Sequence, residues 1–513
     1  MRPRVAAGVR IAGTLLALAV TTAAFLLLNK KLTNNGLGYD EEFFVWGGWC
    51  IRKGLVPYRD FIEFKPPMVF LTHALAQALF GLEGAAFRTF FSVFSLAGVL
   101  AFHLALMGRG IGRMLSTGSV LAIVSLFVNQ RWHDTALTDS ESIGLSYYLL
   151  GLAALLWEGR YVKVTTTLGG VLMSLCVMSK EPFLPMVAAT WLGMFWLRGG
   201  ARPTRASATL FARFSLLGVG ITAAALCLYM LVTGALGPYL AMARRYARMY
   251  RDPKLSYCVQ LGYAHPSTPW PTFVETWTRL RRAFLNWAAV GYLLPFVVLG
   301  AVFTWRRSRL LLLCMFAAAV AALWAPTASN CMWWHYYNMS IAGIAFIVAA
   351  GMDSMQRALN RAHRGLRAGV GIAVLLFAAW YASPALWQQW NATPRRPPWK
   401  EPQPGLVAFI AANTTPDDRI LTTGTPMLYV VTDRVGGVRE SNFTDEILGY
   451  YDGDTDVDKL RPLREQLLRT RPKVVFLDPT HERRKRRHHD ALLAPFLAEL
   501  GYRKINDKLY VRP

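Results

Sequence analysis

The first polar segment of the sequence, between about residues 30 and 85, carries carboxylates that could do acid–base chemistry. Asp40 and Glu41 stand side by side shortly after the first long apolar run. A positioned carboxylate can accept a proton in a transition state as a general base. We therefore interpret Asp40 and Glu41 as candidate catalytic residues, and the residues alone do not separate the two. A solvated loop carboxylate is the alternative for Asp40.

Cations are the second feature that could do chemistry. Arg59 and Lys65 lie in the same segment, and Lys180 and the pair Arg244–Arg245 follow later in the chain. Such charges would stabilise a phosphate leaving group without consuming protons, so all five are candidate substrate ligands. The alternative is that their long side chains only reach for lipid head groups.

Two further motifs open apolar runs. Asp139 and Glu141 lie in RWHDTALTDSESIGL, and His335 and Tyr336 lie in TASNCMWWHYYNMS. Ionisable residues at membrane depth are costly and usually face a cavity with a function. Asp139 is thus a third candidate catalytic residue, and the other three are candidate substrate ligands. Favourable charges at a helix N-terminus and an aromatic belt are the respective alternatives.

The elements that must position these residues are membrane-spanning helices. Hydrophobic residues make up 54% of the 513 residues and charged residues only 17%, and apolar runs of about twenty residues recur until about residue 386. Runs of this length are typical of transmembrane helices. They predict an all-α bundle of about eleven spans, at about 8–29, 86–107, 114–130, 141–157, 164–180, 183–198, 214–234, 286–304, 310–326, 336–352 and 368–386.

The loops predict the orientation of this bundle. Eighteen lysines and arginines fall on the side of the N-terminus, whereas the short loops on the other side hold only Arg131 and Lys180. The positive-inside rule therefore places the N-terminus in the cytoplasm and all the candidate residues on the outer face. This bias, with attraction to anionic lipids, also explains most of the net charge of +25. An anionic substrate could explain the remainder, and nucleic-acid binding is not expected.

The outer segments have patterns of their own. FVWGGWCIRKG and MVFLTHALAQALFG, in the first outer loop, favour helices in the membrane interface with aromatics at head-group depth. The second long loop, about 235–285, begins with an amphipathic pattern, and we interpret it as a mobile lid. A Pro-rich linker then separates the module 1–386 from a small outer α/β domain over 387–513. In that domain RILTTG, MLYVVT and KVVFLDP favour strands, and LVAFIAAN and LREQLLRT favour helices.

The order of these motifs resembles a known family. The first loop carries Asp40-Glu41, then Gly54-x-x-Pro57-Tyr58-x-Asp60, then Lys65-Pro66-Pro67; the Asp139 motif, Ser179-Lys180 and His335-Tyr336 follow. Together they resemble the GT-C superfamily of polytopic glycosyltransferases. The most similar branch contains the bacterial relatives of protein O-mannosyltransferases and the lipid A aminoarabinose transferase. The resemblance covers roughly residues 8–386.

The resemblance implies transfer of a sugar from a polyprenyl-phosphate carrier, with inversion, to a hydroxyl or amine on the outer face. It implies that Asp40 is the base or orients the acceptor, and that Lys65 contacts the carrier phosphate. Asp139 matches the second acidic position at the cavity, and Lys180 matches the lysine that commonly follows the fifth span. His335 and Tyr336 match a pair near the donor pocket.

The sequence departs from the family in one place. The aminoarabinose-transferase pattern has an acidic residue directly before Lys-Pro-Pro, where this chain has Phe64, with Glu63 one residue earlier. Glu63 is therefore a candidate substrate ligand in its place.

The expected activity needs no metal or other cofactor, because abundant lysines and arginines can meet the phosphate and no HxxH or DxD pair has clear ligand spacing. Expected partners are the polyprenyl-phosphate sugar, an envelope glycan, lipid or protein acceptor, and the bilayer of a bacterial inner membrane. The alternatives are a transporter or flippase for a lipid-linked anion, a polysaccharide ligase or polymerase, and a sensor. Internal repeats and broken mid-membrane helices, which typify transporters, are not evident.

Overall fold

A computed structural model describes residues 3–34, 39–82, 84–127, 137–199, 204–251, 298, 300–325, 336–391, 404–424, 426–440, 456–477 and 487–513. These residues form two compact units, each discontinuous in sequence. Unit 1 comprises residues 1–35, 83–226 and 272–396, and unit 2 comprises residues 36–82, 227–271 and 397–513.

Helices dominate the described chain. In chain order the elements are α1 (Pro3–Asn34), α2 (Tyr39–Arg52), α3 (Pro67–Phe80), α4 (Gly84–Gly108), α5 (Arg113–Phe127), α6 (Ser140–Leu156), α7 (Val162–Val177), α8 (Leu184–Gly199), α9 (Arg205–Val232), α10 (Leu236–Arg251), α11 (Arg309–Trp324), α12 (Tyr337–Leu359), α13 (Arg364–Asn391), α14 (Pro404–Asn413), β1 (Ile420–Thr422), α15 (Met427–Thr432), α16 (Asp456–Thr470), β2 (Val474–Phe476), α17 (Arg487–Glu499), β3 (Arg503–Lys504) and β4 (Leu509–Val511).

Unit 1 is a bundle of apolar helices. Ten of the eleven predicted spans coincide with a described helix, and the eighth, at about 286–304, lies largely outside the described residues. Among the described residues, four segments are long and apolar enough to cross a membrane: Ile11–Leu28, Ala86–Gly108, Ala206–Val232 and Asn338–Leu359. The chain is therefore a multi-pass membrane protein, as predicted, and the number of its spans stays a prediction.

Small residues let helices of unit 1 touch backbone to backbone. A Cβ on Gly170 of α7 would lie 2.1 Å from the carbonyl oxygen of Ser215 on α9, and one on Gly218 would lie 2.1 Å from that of Thr167. Such close approach is typical of helix packing in membranes, where apolar side chains gain little by leaving lipid.

Helices α2 and α3 of unit 2 confirm the two helical patterns of the first loop. Trp46 and Trp49 are 2% and 3% exposed. The ring of Trp46 lies 5.2 Å from that of Phe61 and 6.2 Å from that of Tyr429 in the C-terminal part. The tryptophans of α2 therefore pack inside unit 2. The position of the two helices in the membrane interface stays a prediction.

The C-terminal part of unit 2 contains a four-stranded sheet in the order β1-β2-β4-β3, with β1 and β2 parallel and the other pairs antiparallel. RILTTG and KVVFLDP contain strands, and LVAFIAAN and LREQLLRT form helices, as predicted. The prediction of a strand for MLYVVT was wrong, since it forms α15, with Met427–Val430 and Thr432 buried. A short run that is apolar on all sides fits a buried helix turn as well as a buried strand.

Candidate active site

The start of α2 separates the two candidate bases of the first loop. Asp40 and Glu41 both lie in the first helical turn, where the helix dipole favours negative charge. Asp40 is half-buried, whereas Glu41 is only 2% exposed. A base must be reachable by the group that it deprotonates, so Asp40 is the better placed of the two.

The turn after α2 is tightly organised around Asp60. Its carboxylate accepts the backbone N–H of Val56 at 2.8 Å and two hydrogen bonds from the guanidinium of Arg59, at 2.9 and 2.7 Å. The bond from Arg59 is the main reason that the pKa of Asp60 is lowered. Arg59 also donates to the carbonyl of Thr233 at 2.8 Å, after α9. Arg59 is exposed but already neutralised, which makes it a weaker phosphate ligand than the sequence predicts.

Glu63 and Lys65 are both half-buried, in the irregular segment that leads into α3. A carboxylate oxygen of Glu63 accepts the backbone N–H of Phe64 at 3.0 Å, and the carbonyl of Lys65 accepts the hydroxyl of Tyr58 at 2.7 Å. Pro66 and Pro67 then begin α3, because proline suits the first helical turn. The backbone on both sides of the Lys65 side chain is therefore held in place.

Helix α10 brings the Arg244–Arg245 pair to the same loop, and its amphipathic pattern is confirmed. Tyr246 stacks on Phe64 with ring centroids 5.3 Å apart, so the residue that departs from the family pattern packs against α10. Arg244 is exposed and Arg245 half-buried. The expected lid continues beyond Arg251, where residues 252–285 lie outside the described residues.

Unit 1 contains a separate buried cluster, formed by Glu141, Lys180 and Tyr336, which we call the bundle cluster. The ammonium of Lys180 lies 2.9 Å from a carboxylate oxygen of Glu141 and 4.4 Å from the centroid of the Tyr336 ring. Ser140 donates to the other carboxylate oxygen at 2.8 Å. The ion pair and the aromatic ring together fix the orientation of the lysine side chain.

Three helix ends build the bundle cluster. Glu141 lies in the first turn of α6, Lys180 follows α7, and Tyr336 precedes α12. The turn carrying Lys180 approaches α6 closely because position 144 is glycine: a Cβ there would lie 2.5 Å from the ring of Phe183. The three side chains are far apart in sequence, and the fold brings them together. Their position on the outer face of the membrane stays a prediction.

The remaining predicted residues have less support. Asp139 is 4% exposed and is the N-cap residue of α6, but its side chain makes no capping hydrogen bond. Helix capping therefore does not explain this buried carboxylate. His335 lies outside the described residues. Among the described residues, no group of three histidines, cysteines or carboxylates could hold a metal ion, and the expectation that no metal is needed stays a prediction.

Two features of the site were missed by sequence reasoning. One is Tyr58, which has a left-handed backbone with φ of 66°. The other is Arg439 of the C-terminal part, which donates to the carbonyl of Tyr58. The dipeptide Pro57-Tyr58 marks a turn, but no pattern signals its partner, which lies 381 residues away.

The chain is similar to known proteins in structure but not in sequence. No protein-family model matches the chain, and no curated protein matches it in sequence. ArnT from Cupriavidus metallidurans bound to undecaprenyl phosphate is 14% identical, and the match covers 97% of each chain with a TM-score of 0.50. The Archaeoglobus fulgidus oligosaccharyltransferase in complex with Zn and sulfate is 12% identical, and its match covers 90% of this chain and 68% of that chain with a TM-score of 0.51. This is the GT-C fold.

The GT-C fold confirms the resemblance that the motifs indicated. A second structure of the oligosaccharyltransferase, tethered with an acceptor peptide, matches with a TM-score of 0.50 and 12% identity. At such identities the likeness shows the fold, and the roles of single residues in this chain rest on their own geometry.

Proposed function

We propose that the protein is an inverting glycosyltransferase that moves a sugar from a polyprenyl-phosphate carrier to an acceptor on the outer face of a bacterial inner membrane. The observation that carries this proposal is the buried Lys180–Glu141 pair beside Tyr336, at one end of an apolar GT-C bundle. A charged lysine at such a place suits a phosphate that arrives in the bilayer. The structure of ArnT with bound undecaprenyl phosphate supports the carrier class.

Each candidate residue has a role in this reaction. Asp40 takes the proton of the acceptor hydroxyl or amine as the acceptor atom bonds to the anomeric carbon. The bond from that carbon to the phosphate oxygen breaks at the same time, and polyprenyl phosphate leaves from the opposite face of the sugar, which inverts the configuration. Lys65, Lys180, Arg244 and Arg245 stabilise the phosphate charge, and Glu141 orients Lys180.

The remaining assignments follow from the same chemistry. Asp139 serves as the second acidic group, Glu63 and Tyr336 line the donor site, and His335 stacks on the sugar or binds phosphate. The N-terminus is cytoplasmic and the C-terminal domain lies outside. The acceptor is an envelope glycan, lipid or protein, and the acceptor peptide bound by the oligosaccharyltransferase illustrates one such class.

The test is sugar transfer by the purified full-length protein in lipid nanodiscs, with polyprenyl-phosphate sugars and an outer-envelope acceptor fraction. We expect Asp40→Asn to lower the rate by about 10²-fold or more, because it removes the general base. Glu42→Gln is the matched control, since it neutralises a neighbouring half-buried carboxylate of the same helical turn.

Other outcomes redirect the proposal. If Glu41→Gln lowers the transfer rate by about this factor and Asp40→Asn does not, the general base is the buried Glu41 instead. Specific carrier binding without transfer of any sugar would contradict the proposed glycosyltransferase activity and favour a transporter of lipid-linked anions.

A further inference from the structure

Tyr58 has an unusual backbone for a bulky residue. Its φ of 66° lies in the left-handed region, and its side chain is only 2% exposed. Such a conformation is uncommon outside glycine and persists when surrounding contacts enforce it, often at functional sites. The question is therefore what enforces it here.

The contacts within the first loop link Tyr58 to the candidate phosphate ligand. The backbone N–H of Tyr58 donates to the carbonyl of Phe61 at 2.7 Å, and its hydroxyl donates to the carbonyl of Lys65 at 2.7 Å. Its ring also packs against Tyr239 of α10, with centroids 4.9 Å apart. The side chain of Tyr58 thus fixes the backbone that carries Lys65.

One residue of the C-terminal domain, Arg439, contacts this turn at two points. The guanidinium of Arg439 donates to the carbonyl of Tyr58. The carbonyl of Arg439 accepts the backbone N–H of Ile62 at 2.7 Å, and Ile62 and Glu440 form a parallel β-bridge. Arg439 therefore brackets residues 58–62.

Arg439 is itself fixed by the domain. Its backbone N–H donates to the side-chain carbonyl of Gln466 on α16 at 2.9 Å, and the amide nitrogen of Gln466 lies 3.1 Å from both carboxylate oxygens of Glu440. Glu440 is only 1% exposed. A buried, hydrogen-bonded network of this kind specifies one geometry for the residues that it contains.

We propose that Arg439 is a positioning residue of the donor site, and that the C-terminal domain acts on Lys65 through Tyr58. The catalytic part of this inference rests on the proposed function, since Lys65 is assigned to the carrier phosphate there. The domain is then a structural part of the donor site and not only an appended module.

The test compares Arg439→Ala, Arg439→Lys and Tyr58→Phe in the full-length protein. The control is Arg464→Ala in the same domain, because half-buried Arg464 pairs with Glu499 at 3.2 Å and lies 4.2 Å from the centroid of the Phe496 ring, which are both contacts within the domain. Readouts are amide exchange of residues 58–65, affinity for undecaprenyl phosphate without sugar, and the KM and kcat of transfer. Thermal unfolding reports whether each variant is folded.

We expect Arg439→Ala to remain folded, to speed amide exchange of residues 58–65, and to weaken carrier binding and raise the donor KM by about tenfold, since a charge-assisted hydrogen bond is lost. Changes in kcat should be smaller. Arg439→Lys should recover much of the loss because lysine can still donate to the carbonyl of Tyr58. The double variant with Tyr58→Phe should show less than the sum of the two effects, because both act along one chain of contacts.

Folded Arg439→Ala protein with unchanged exchange and unchanged carrier affinity would overturn the inference. So would equal effects in Arg464→Ala, which would indicate general loosening of the domain. If wild type transfers no sugar, the proposed function fails, while exchange and carrier binding still decide whether Arg439 positions the loop.

Discussion

Two buried charge clusters lie at opposite ends of the same helices in unit 1. The bundle cluster pairs one carboxylate, Glu141 at the start of α6, with one cation, Lys180. The other cluster surrounds Asp353 near the end of α12, where Arg109, Arg307 and Arg357 all contact a single carboxylate. Helix α6 has 17 residues, so its two ends are about 24 Å apart.

The Asp353 cluster is saturated by protein groups. Besides Asp353, Arg109 meets Glu158 at 2.5 Å, and Arg307 donates to the carbonyl of Leu197 at 3.1 Å. These contacts join the C-terminal ends of α4 and α8 to α12. A carboxylate shared by three arginines acts as a latch between helices. The bundle cluster instead offers a cation beside a ring, an arrangement that a bound phosphate can share.

The largest effect should come from breaking the latch. Asp353→Asn removes the carboxylate that Arg109 and Arg307 share, and the Arg109 side chain, only 2% exposed, keeps among the described carboxylates only its pairing with half-exposed Glu158. We expect a loss of about 3–5 kcal/mol in the free energy of unfolding, as for other buried pairs with one partner removed. Thermal and denaturant unfolding in detergent measure it.

Glu158→Gln is the matched control, because Glu158 contacts the same Arg109 but its side chain is 49% exposed. We expect a change below about 1 kcal/mol there. If both variants lost the same free energy of unfolding, the distinction between the buried Asp353 and the half-exposed Glu158 would be contradicted.

The bundle cluster should respond in the opposite way. The double variant Glu141→Gln/Lys180→Gln removes both charges, so no unpaired charge stays buried, and stability should change little. Transfer should fall by about 10²-fold, because a group that stabilises the leaving phosphate is gone. Rate and unfolding measurements on one preparation test both statements. Glu181→Gln, an exposed carboxylate next to Lys180, is the control. If the double variant were strongly destabilised, the bundle cluster would instead serve, like the Asp353 cluster, to hold helices together.

The buried carboxylate of Glu440 in unit 2 sharpens the comparison, because its partner is an amide, Gln466, that donates to it. Burial raises the pKa of Glu440 above its ordinary value of 4.5. The folded state therefore holds this proton more tightly than the unfolded chain. Its contribution to stability is complete below about pH 4.5 and is lost as pH rises through the folded pKa.

The free energy of unfolding of wild type and Glu440→Gln, measured between pH 4 and 8, tests the direction of this pH dependence. We expect the two proteins to differ by an amount on the order of 1 kcal/mol. The stability of Glu440→Gln should decline less with rising pH than that of the wild type.

The pH dependence from Asp60 has the opposite sign, because Arg59 lowers the pKa of Asp60 below 3.8. The contribution of Asp60 to stability is therefore present above that value and is lost as pH falls through the folded pKa. Asp60→Asn should therefore remove stability at neutral pH and little at strongly acidic pH.

The smallest effect is expected from metal removal. If lysines and arginines alone meet the phosphate charge, a chelator should leave the transfer rate unchanged. The rate with and without excess chelator measures this, and recovery of a lost rate by an added divalent cation would contradict it.

Several conclusions depended on residues that are close in sequence, and the sequence was sufficient for them. Apolar runs of about twenty residues become helices because length and composition are local properties of the chain. The acidic start of α2, the proline entry to α3 and the amphipathic α10 are of the same kind. The order of the motifs was also sufficient to indicate the GT-C fold, which the structure confirmed.

Other features required the tertiary structure, because they depend on which distant groups share a buried space. Only the fold distinguishes half-buried Asp40 from buried Glu41, pairs Lys180 with Glu141, and turns MLYVVT into a helix. The contact of Tyr58 with Arg439 spans 381 residues, and that of Arg109 with Asp353 spans 244. Burial and long-range pairing decide which charges remain able to meet a ligand, and no local pattern in the chain encodes them.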